Sequence, residues 1–464
     1  MSAEPVPADP ASGSNLRRGL NLWDVTFLVL GLVLGGGIFL TPPAIAQAIP
    51  SAKWILAAWV VGGVLSIFGG FVYSELGAMK PEAGGMYLYI RDAFGPFPAF
   101  LYAWMAYFVI LAGADAAVAV GFAEYFSVFF PALGTKHVLF SLAGLPVSAG
   151  QLVAVAAVLV LSATHYVGIR EGSRIQGVFT LLIVVALVWL VVGGAVAKPS
   201  AGPPAAPAAP LAPITAAAFG TAMVAVFWCY YGWNEIAAVA GEVANPRRNL
   251  PVALIFGTAL VTALYVGVNA VFLKVMPVAE LAQTTQPAAI ASTRLFGSAS
   301  TAAIAFAVAA AAFGCLSAGI VPGPRIVWAL AQDRLFPRPF ARVHPRFRTP
   351  SFAITVQAVW MSLLCLSGRY DQLYTYATFA VILAYLATGV ALFVFRRTLP
   401  GMPRPYRCWG YPIVPGIFVL SSLLLAVNTI RQQPRETLSG LAILAAGVPV
   451  YLGMRAGGKR ADLS

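Results

Sequence analysis

Two carboxylic acids stand where an apolar chain accommodates them worst. Asp115 lies in ILAGADAAVAVGF and Glu235 in FWCYYGWNE, with no basic residue in either stretch. An acid at membrane depth is costly and is a functional candidate by default. Three roles fit Asp115: holding the cationic end of a basic ligand, carrying a proton or another coupling cation, or hydrogen-bonding to a neighbouring helix. Glu235 carries a similar ambiguity. The neighbours of Asp115, Gly113, Ala114, Ala116 and Ala117, are small and leave room for a ligand or a close helix.

The second chemistry on offer is that of bare backbone. LGLVLGGGIFLTPPAIA (30–46) sets Gly35, Gly36 and Gly37 in a row and adds Pro42 and Pro43, the residues least suited to a helix interior. FWCYYGWNE (227–235) also carries a glycine inside an apolar run. Backbone unwound in a bilayer is tolerated only where protein or a water-filled cavity surrounds it. A helix interrupted there exposes amides at the start of its second half and carbonyls at the end of its first. The amides of Gly36, Gly37 and Ile38 then offer a positive dipole end to a carboxylate. Carbonyls near Val33 and Leu34, and near Phe227 and Trp228, can accept from an ammonium. A zwitterion fits such a pair of ends without any charged side chain. Glycines that merely allow close helix packing are the alternative reading, preferred for Gly31, Gly62, Gly63, Gly69 and Gly70.

These residues need an apolar scaffold, and the composition supplies one. Of 464 residues 60% are hydrophobic and 10% charged, and the mean hydropathy is +0.83, far from the usual soluble balance. Twelve apolar stretches of membrane-spanning length fall near 22–48, 54–79, 97–127, 149–168, 175–197, 215–241, 252–276, 299–321, 351–367, 372–396, 411–430 and 437–455. The expected fold is an all-α integral membrane protein. The Pro/Ala-rich stretch 198–213 divides the first ten spans into two sets of five. An odd number per set makes the second half enter from the opposite side, an inverted repeat common in transporters. The organisation is then a cytoplasmic tail (1–21), a first five-helix repeat (22–197), an external loop (198–213), a second inverted repeat (214–397), two accessory helices (398–455) and a cytoplasmic tail (456–464). No cleavable signal is expected at the N-terminus.

The formal charge of +13 invites a nucleic-acid reading, which the location of the charges opposes. With a cytoplasmic N-terminus, about 21 of the 29 Lys and Arg fall inside, the asymmetry of the positive-inside rule. Both termini are expected in the cytoplasm and the chain in the cell (inner) membrane; the basic loop 334–348 anchors that topology. Four cysteines and three histidines show no metal spacing, and no nucleophile–base set appears, so an enzyme is not expected and no cofactor is implied.

Several segments carry a family likeness. GGGIFLTPPAIA, YSELGAMKPEAGGMYLYIRDAFG (73–95), YGWNEIAAVAGEVANPRRNLP (231–251), RIVWALAQDRLFPRPFARVHPRFRTP (325–350) and RPYRCWGYPIVP (404–415) together resemble the amino acid–polyamine–organocation (APC) superfamily, close to its L-type and serine/threonine exchanger branch. The resemblance implies a LeuT-type five-plus-five inverted repeat with spans 1 and 6 broken, and secondary transport of L-amino acids by alternating access. A neutral substrate is the first reading. A cationic amino acid or polyamine is the alternative, and an amino acid sensor a more remote one.

Carried over position by position, the carboxylate contacts fall on Gly36, Gly37 and Ile38, beside Gly35. The ammonium contacts fall on Val33, Trp228 and Tyr231, next to Phe227. Trp228 resembles an aromatic lid of L-type relatives, though an interfacial or core Trp is as ready a reading. Ile183 stands where many relatives keep a coupling lysine. The coupling candidates left are Na+ on span 1 carbonyls with Ser317, H+ through another acid such as Asp115, or uncoupled exchange. Glu75 and Glu242, at inner span ends, read as gate or loop-pinning residues with Arg91, Arg248 and Arg325 as partners in reach. The loop 131–148 contains no cysteine, so the disulfide-linked heavy subunit of some animal relatives is not expected; the partners are the substrate and the bilayer.

Overall fold

The structure, a computed structural model, describes residues 19–35, 37–134, 137–142, 145–197, 214–284, 287–367, 370–432 and 434–461. Among them eight helices are long and apolar enough to cross a membrane. They include α4 (Ala52–Met79), α8 (Ala149–Val167), α11 (Pro246–Val275) and α18 (Ile413–Gln432). A further run, Pro96–Phe126, comprises α6 (Pro96–Met105), a π-helical turn (Ala106–Leu111) and α7 (Ala112–Phe126). The expected spans 4 and 5 are α8 and α9 (Ile169–Val196); spans 8, 9 and 10 are α14 (Ser300–Gly319), α16 (Ser351–Ser367) and α17 (Tyr370–Thr398). The last expected span falls on α19 (Pro434–Ala461), which holds Pro449 inside it.

The spans expected over 22–48 and 215–241 are both interrupted, as the glycine-rich stretches within them suggested. The first becomes α1 (Leu22–Val33), α2 (Gly37–Leu40) and α3 (Pro42–Ala48). The second becomes α10 (Ala216–Tyr230) followed by a ten-residue 3-10 segment, Trp233–Glu242. Stretches of 3-10 helix beyond three or four residues are uncommon because their hydrogen bonds are poorly aligned. The fold is helical as expected, with a small hairpin, β1 (Val138–Leu142) and β2 (Leu145–Ser148), paired antiparallel in the loop between α7 and α8.

Small residues set the helix spacing. A Cβ on Gly63 would come within 2.2 Å of Thr262 on α11, one on Gly62 within 2.4 Å of Val226 on α10, and one on Gly69 within 2.4 Å of Trp233. Gly31 is pressed as closely by Gln176. Gly70 is the exception, its nearest neighbour lying at 3.9 Å. Four of the five packing glycines are therefore close-contact positions, and Gly70 is not.

The two faces of the molecule are built differently. One carries the β-hairpin; the other carries Glu75, α5 (Met86–Phe94) and the connection after α15 (Pro322–Gln332). At the Glu75 face the chain before α1 zips onto the end of the 3-10 segment. Gly19 and Leu20 donate amides to the Glu242 carbonyl at 3.0 and 3.1 Å, and Ala244 donates to Leu20 at 2.8 Å.

Candidate functional site

The geometry begins at the interruptions. α1 ends as Leu34 donates to Leu30 (2.7 Å) and Gly35 to Val33 (2.8 Å). The chain restarts at Gly37 and runs through Thr41 into α3, where Pro42 and Pro43 take the first-turn positions that lack an intrahelical partner. α10 ends at Tyr230; Tyr231 is extended and Gly232 has φ +119°. A Cβ on Gly232 would lie 2.3 Å from the Leu32 carbonyl oxygen. Only glycine offers both that backbone conformation and that approach. The two breaks therefore meet, backbone against backbone.

Between them lies a cavity of about 70 Å³. Leu32, Val33, Gly35 and Gly37 line it from the first broken helix, and Trp228, Cys229, Tyr231, Gly232 and Glu235 from the second. α7 contributes Ala114, Asp115 and Val118, with Leu111 from the π turn; α14 contributes Cys315 and Gly319. A larger cavity of about 340 Å³ runs from Gly37 and Trp228 past Thr41, Val118 and Tyr125 to the exposed Glu124, toward the hairpin face. Gly37, Val118 and Trp228 line both cavities. Trp228 stacks on Tyr231 with ring centroids 5.8 Å apart.

The two acids are held in unlike ways. Glu235 accepts hydrogen bonds at Oε1 from the Tyr231 hydroxyl (3.0 Å) and the Asn234 amide (2.7 Å), and Tyr385 donates to Asn234 Oδ1 at 2.7 Å. Its Oε2 is buried without a partner. Asp115 Oδ2 is likewise buried and unpartnered. Asp115 leans across Gly319, where a Cβ would fall 1.8 Å from Oδ1. Gly319 is thus what seats the carboxylate.

The structure brings together Val33, Gly35, Gly37, Asp115, Trp228, Tyr231 and Glu235. Gly36 lies outside the described residues. Ile38 and Phe227 are buried in the core and are not among the cavity-lining residues. The Val33 carbonyl, expected to serve an ammonium, already accepts from the Tyr265 hydroxyl (2.7 Å) and the Gly35 amide. Ser317 lies off the cavity, its hydroxyl 3.0 Å from His165 Nε2, and Ile183 is buried.

Of the expected gate residues, Glu242 pairs with Arg325 (2.7 Å), both fully buried. Glu75 binds neither Arg91, Arg248 nor Arg325. It accepts from Arg396 (2.6 Å), Arg404 (3.2 Å) and the Cys408 amide (2.6 Å), because α17 and the chain leading into α18 pass over it. Arg91 bonds Asp333 (2.6 Å) and Asp92 (2.8 Å). Arg248 is exposed and forms no ion pair among the described residues. Sequence reading marked Gly232 as the glycine of the second break but missed Cys229, Cys315 and Gly319 as cavity-lining residues. Gly319 had no signal apart from other glycines, since what singles it out is a neighbour distant in sequence.

A membrane-embedded helical body with a central cavity between two broken helices defines a multi-pass membrane transporter. Residues 20–453 match the amino acid permease family. The chain is 30% identical to the serine/threonine exchanger SteT of Bacillus subtilis, over 95% of this chain and 98% of that protein. It is 28% identical to the human b(0,+)-type amino acid transporter 1 (94% and 88%) and 27% identical to the branched-chain amino acid permease BcaP of Bacillus subtilis (92% and 91%). The chain belongs to the amino acid permease family of the APC superfamily; it is an amino acid transporter and not an enzyme.

Proposed function

We propose that the chain carries neutral L-amino acids by alternating access, with the α-carboxylate on the amides that open the second half of the first broken helix and the α-ammonium against the end of α10. The observation that carries this reading is that both interruptions line one cavity. Amides at the start of a helix have no intrahelical partner and present positive dipole. With the Val33 carbonyl occupied, the ammonium falls to the Tyr231 side of the cavity. Relatives named for serine/threonine and branched-chain substrates support a neutral side chain. The same reading takes the fold as two inverted five-helix repeats plus two accessory helices, with both termini cytoplasmic, so that the hairpin face is external. Trp228, shared by both cavities, is then the lid.

A cationic amino acid or amine is the second reading. It is favoured by one observation, that two carboxylates and no basic side chain line the cavity. Purified protein in proteoliposomes, offered labelled serine, leucine, lysine and putrescine, separates the two. Uptake of serine or leucine that Gly37→Leu abolishes, in a variant still monodisperse in detergent, supports the neutral reading. Uptake confined to lysine or putrescine overturns it.

A further inference from the structure

We propose that Asp115 and Glu235 form one proton-carrying pair that links substrate movement to proton movement, an inference that rests on the neutral-substrate reading. The geometry places both acids on one cavity, from elements more than a hundred residues apart in sequence, each with one buried oxygen lacking a partner. A neutral zwitterion brings no net charge to compensate them. Two uncompensated buried anions are far costlier than one anion sharing a proton with its neighbour. The fittings point the same way. Glu235 Oε1 is held by Tyr231 and Asn234, leaving Oε2 free, and Gly319 clears space for the Asp115 carboxyl.

Among the described residues the other titratable groups around the pair are bonded elsewhere or are weaker acids; α6 adds the Tyr102 hydroxyl, buried without a partner but, as a phenol, a far weaker acid than a carboxyl. α14 faces Asp115 with Cys315, and α16 with Cys365, whose thiol donates to the Ala116 carbonyl. α17 brings Tyr385, already bonded to Asn234. α8 brings His165, whose Nε2 meets Ser317. α4 brings Tyr73, bonded to Met86, and Glu75, held by two arginines. α15 packs Arg325 against the 3-10 segment, where Glu242 takes it. α5 carries Arg91 and Asp92, paired with Asp333 and Lys80. α11 brings Tyr265, bonded to Val33, and Lys274, bonded to three carbonyls at the end of α9. α1 contributes Asp24, which caps its own first turn. The pair takes one proton from the side to which the cavity opens and gives the same proton to the other side, with no covalent change.

The test uses full-length protein in proteoliposomes with the membrane potential clamped and a pH dye inside. Adding serine or leucine to the wild type is expected to acidify or alkalinise the lumen, and a gradient of one pH unit to drive about tenfold accumulation at one proton per substrate. In Asp115→Asn and Glu235→Gln the proton signal and gradient-driven accumulation are expected to vanish. Wild-type uptake of serine or leucine with no proton signal and no gradient response overturns the pair and leaves the neutral-transport reading standing. Proton movement retained in both folded variants also overturns it. If the wild type takes up only lysine or putrescine, and Asp115→Asn removes that uptake, the pair is a substrate subsite and the neutral reading falls as well. The wild-type dye measurement decides even if a variant fails to fold.

Discussion

The hairpin face and the Glu75 face are opposites in how they close. Toward the hairpin, a cavity of about 340 Å³ reaches Trp228 and is lined mainly by alanines, glycines and valines. Toward Glu75, the route is filled with bonded groups. Glu242 and Arg325 are paired with no exposure, Tyr87 and Arg91 both reach Asp333, and Leu20 bridges Val243. Under the proposed alternating access, the hairpin side would open by moving one aromatic over open space, whereas the Glu75 side would require a polar network to rupture at once. In a two-state carrier the ligand can shift the balance only by its difference in affinity between states. Polar bonds confined to one state are a sound way to set that balance.

Four measurements would break or sharpen this contrast, taken from the largest effect downward. Gly232→Val sets a branched side chain at φ +119° with a Cβ against the Leu32 carbonyl. It is expected to abolish monodisperse expression, and fluorescence-detected gel filtration reads this. A folded, active variant would show that the two breaks do not touch. Next, Arg325→Met leaves Glu242 buried without its partner, a change costing about 3–5 kcal/mol. It should lower the thermal transition in detergent strongly, and adding Glu242→Gln should restore part of the loss.

On the hairpin side Trp228→Ala removes the ring shared by the two cavities. Labelling of Cys229 and Cys315 by a small thiol reagent should speed up several-fold, with little change in thermal stability. An unchanged rate would mean that the ring closes nothing. The smallest effect is one of pH. Burial pushes the Asp92 carboxyl up, but hydrogen bonds and charge from Arg91 and Lys80 outweigh it and hold the group below its usual value. The stabilisation is therefore full above pH about 4 and fades as the pH falls through the lower folded value. Hydrogen exchange over 86–94 should rise on strong acidification, and rise less in Asp92→Asn, which starts without the pairing.

Much of the site was legible because its signals are local. Three glycines in a row, a glycine among aromatics and two acids in apolar runs stand out without any partner being known. Ion pairing was only half legible. Glu242 and Arg325 lie 83 residues apart, and nothing local picks Arg325 over Arg248. Glu75 finds partners 321 and 329 residues away, on α17 and just beyond it. Val33 illustrates the converse: a carbonyl freed by the break was recaptured by Tyr265 of α11.

What the sequence determined by itself was the membrane class, the positions at which two helices stop, and the chemical kinds of group available there. Hydropathy and glycine act within a few residues, so they are written along the chain. Tertiary structure alone decided which groups meet: that Gly232 abuts Leu32, that Gly319 seats Asp115, and that one face is bonded shut. Those facts depend on distances between remote segments, and only the packing of one helix against another sets them.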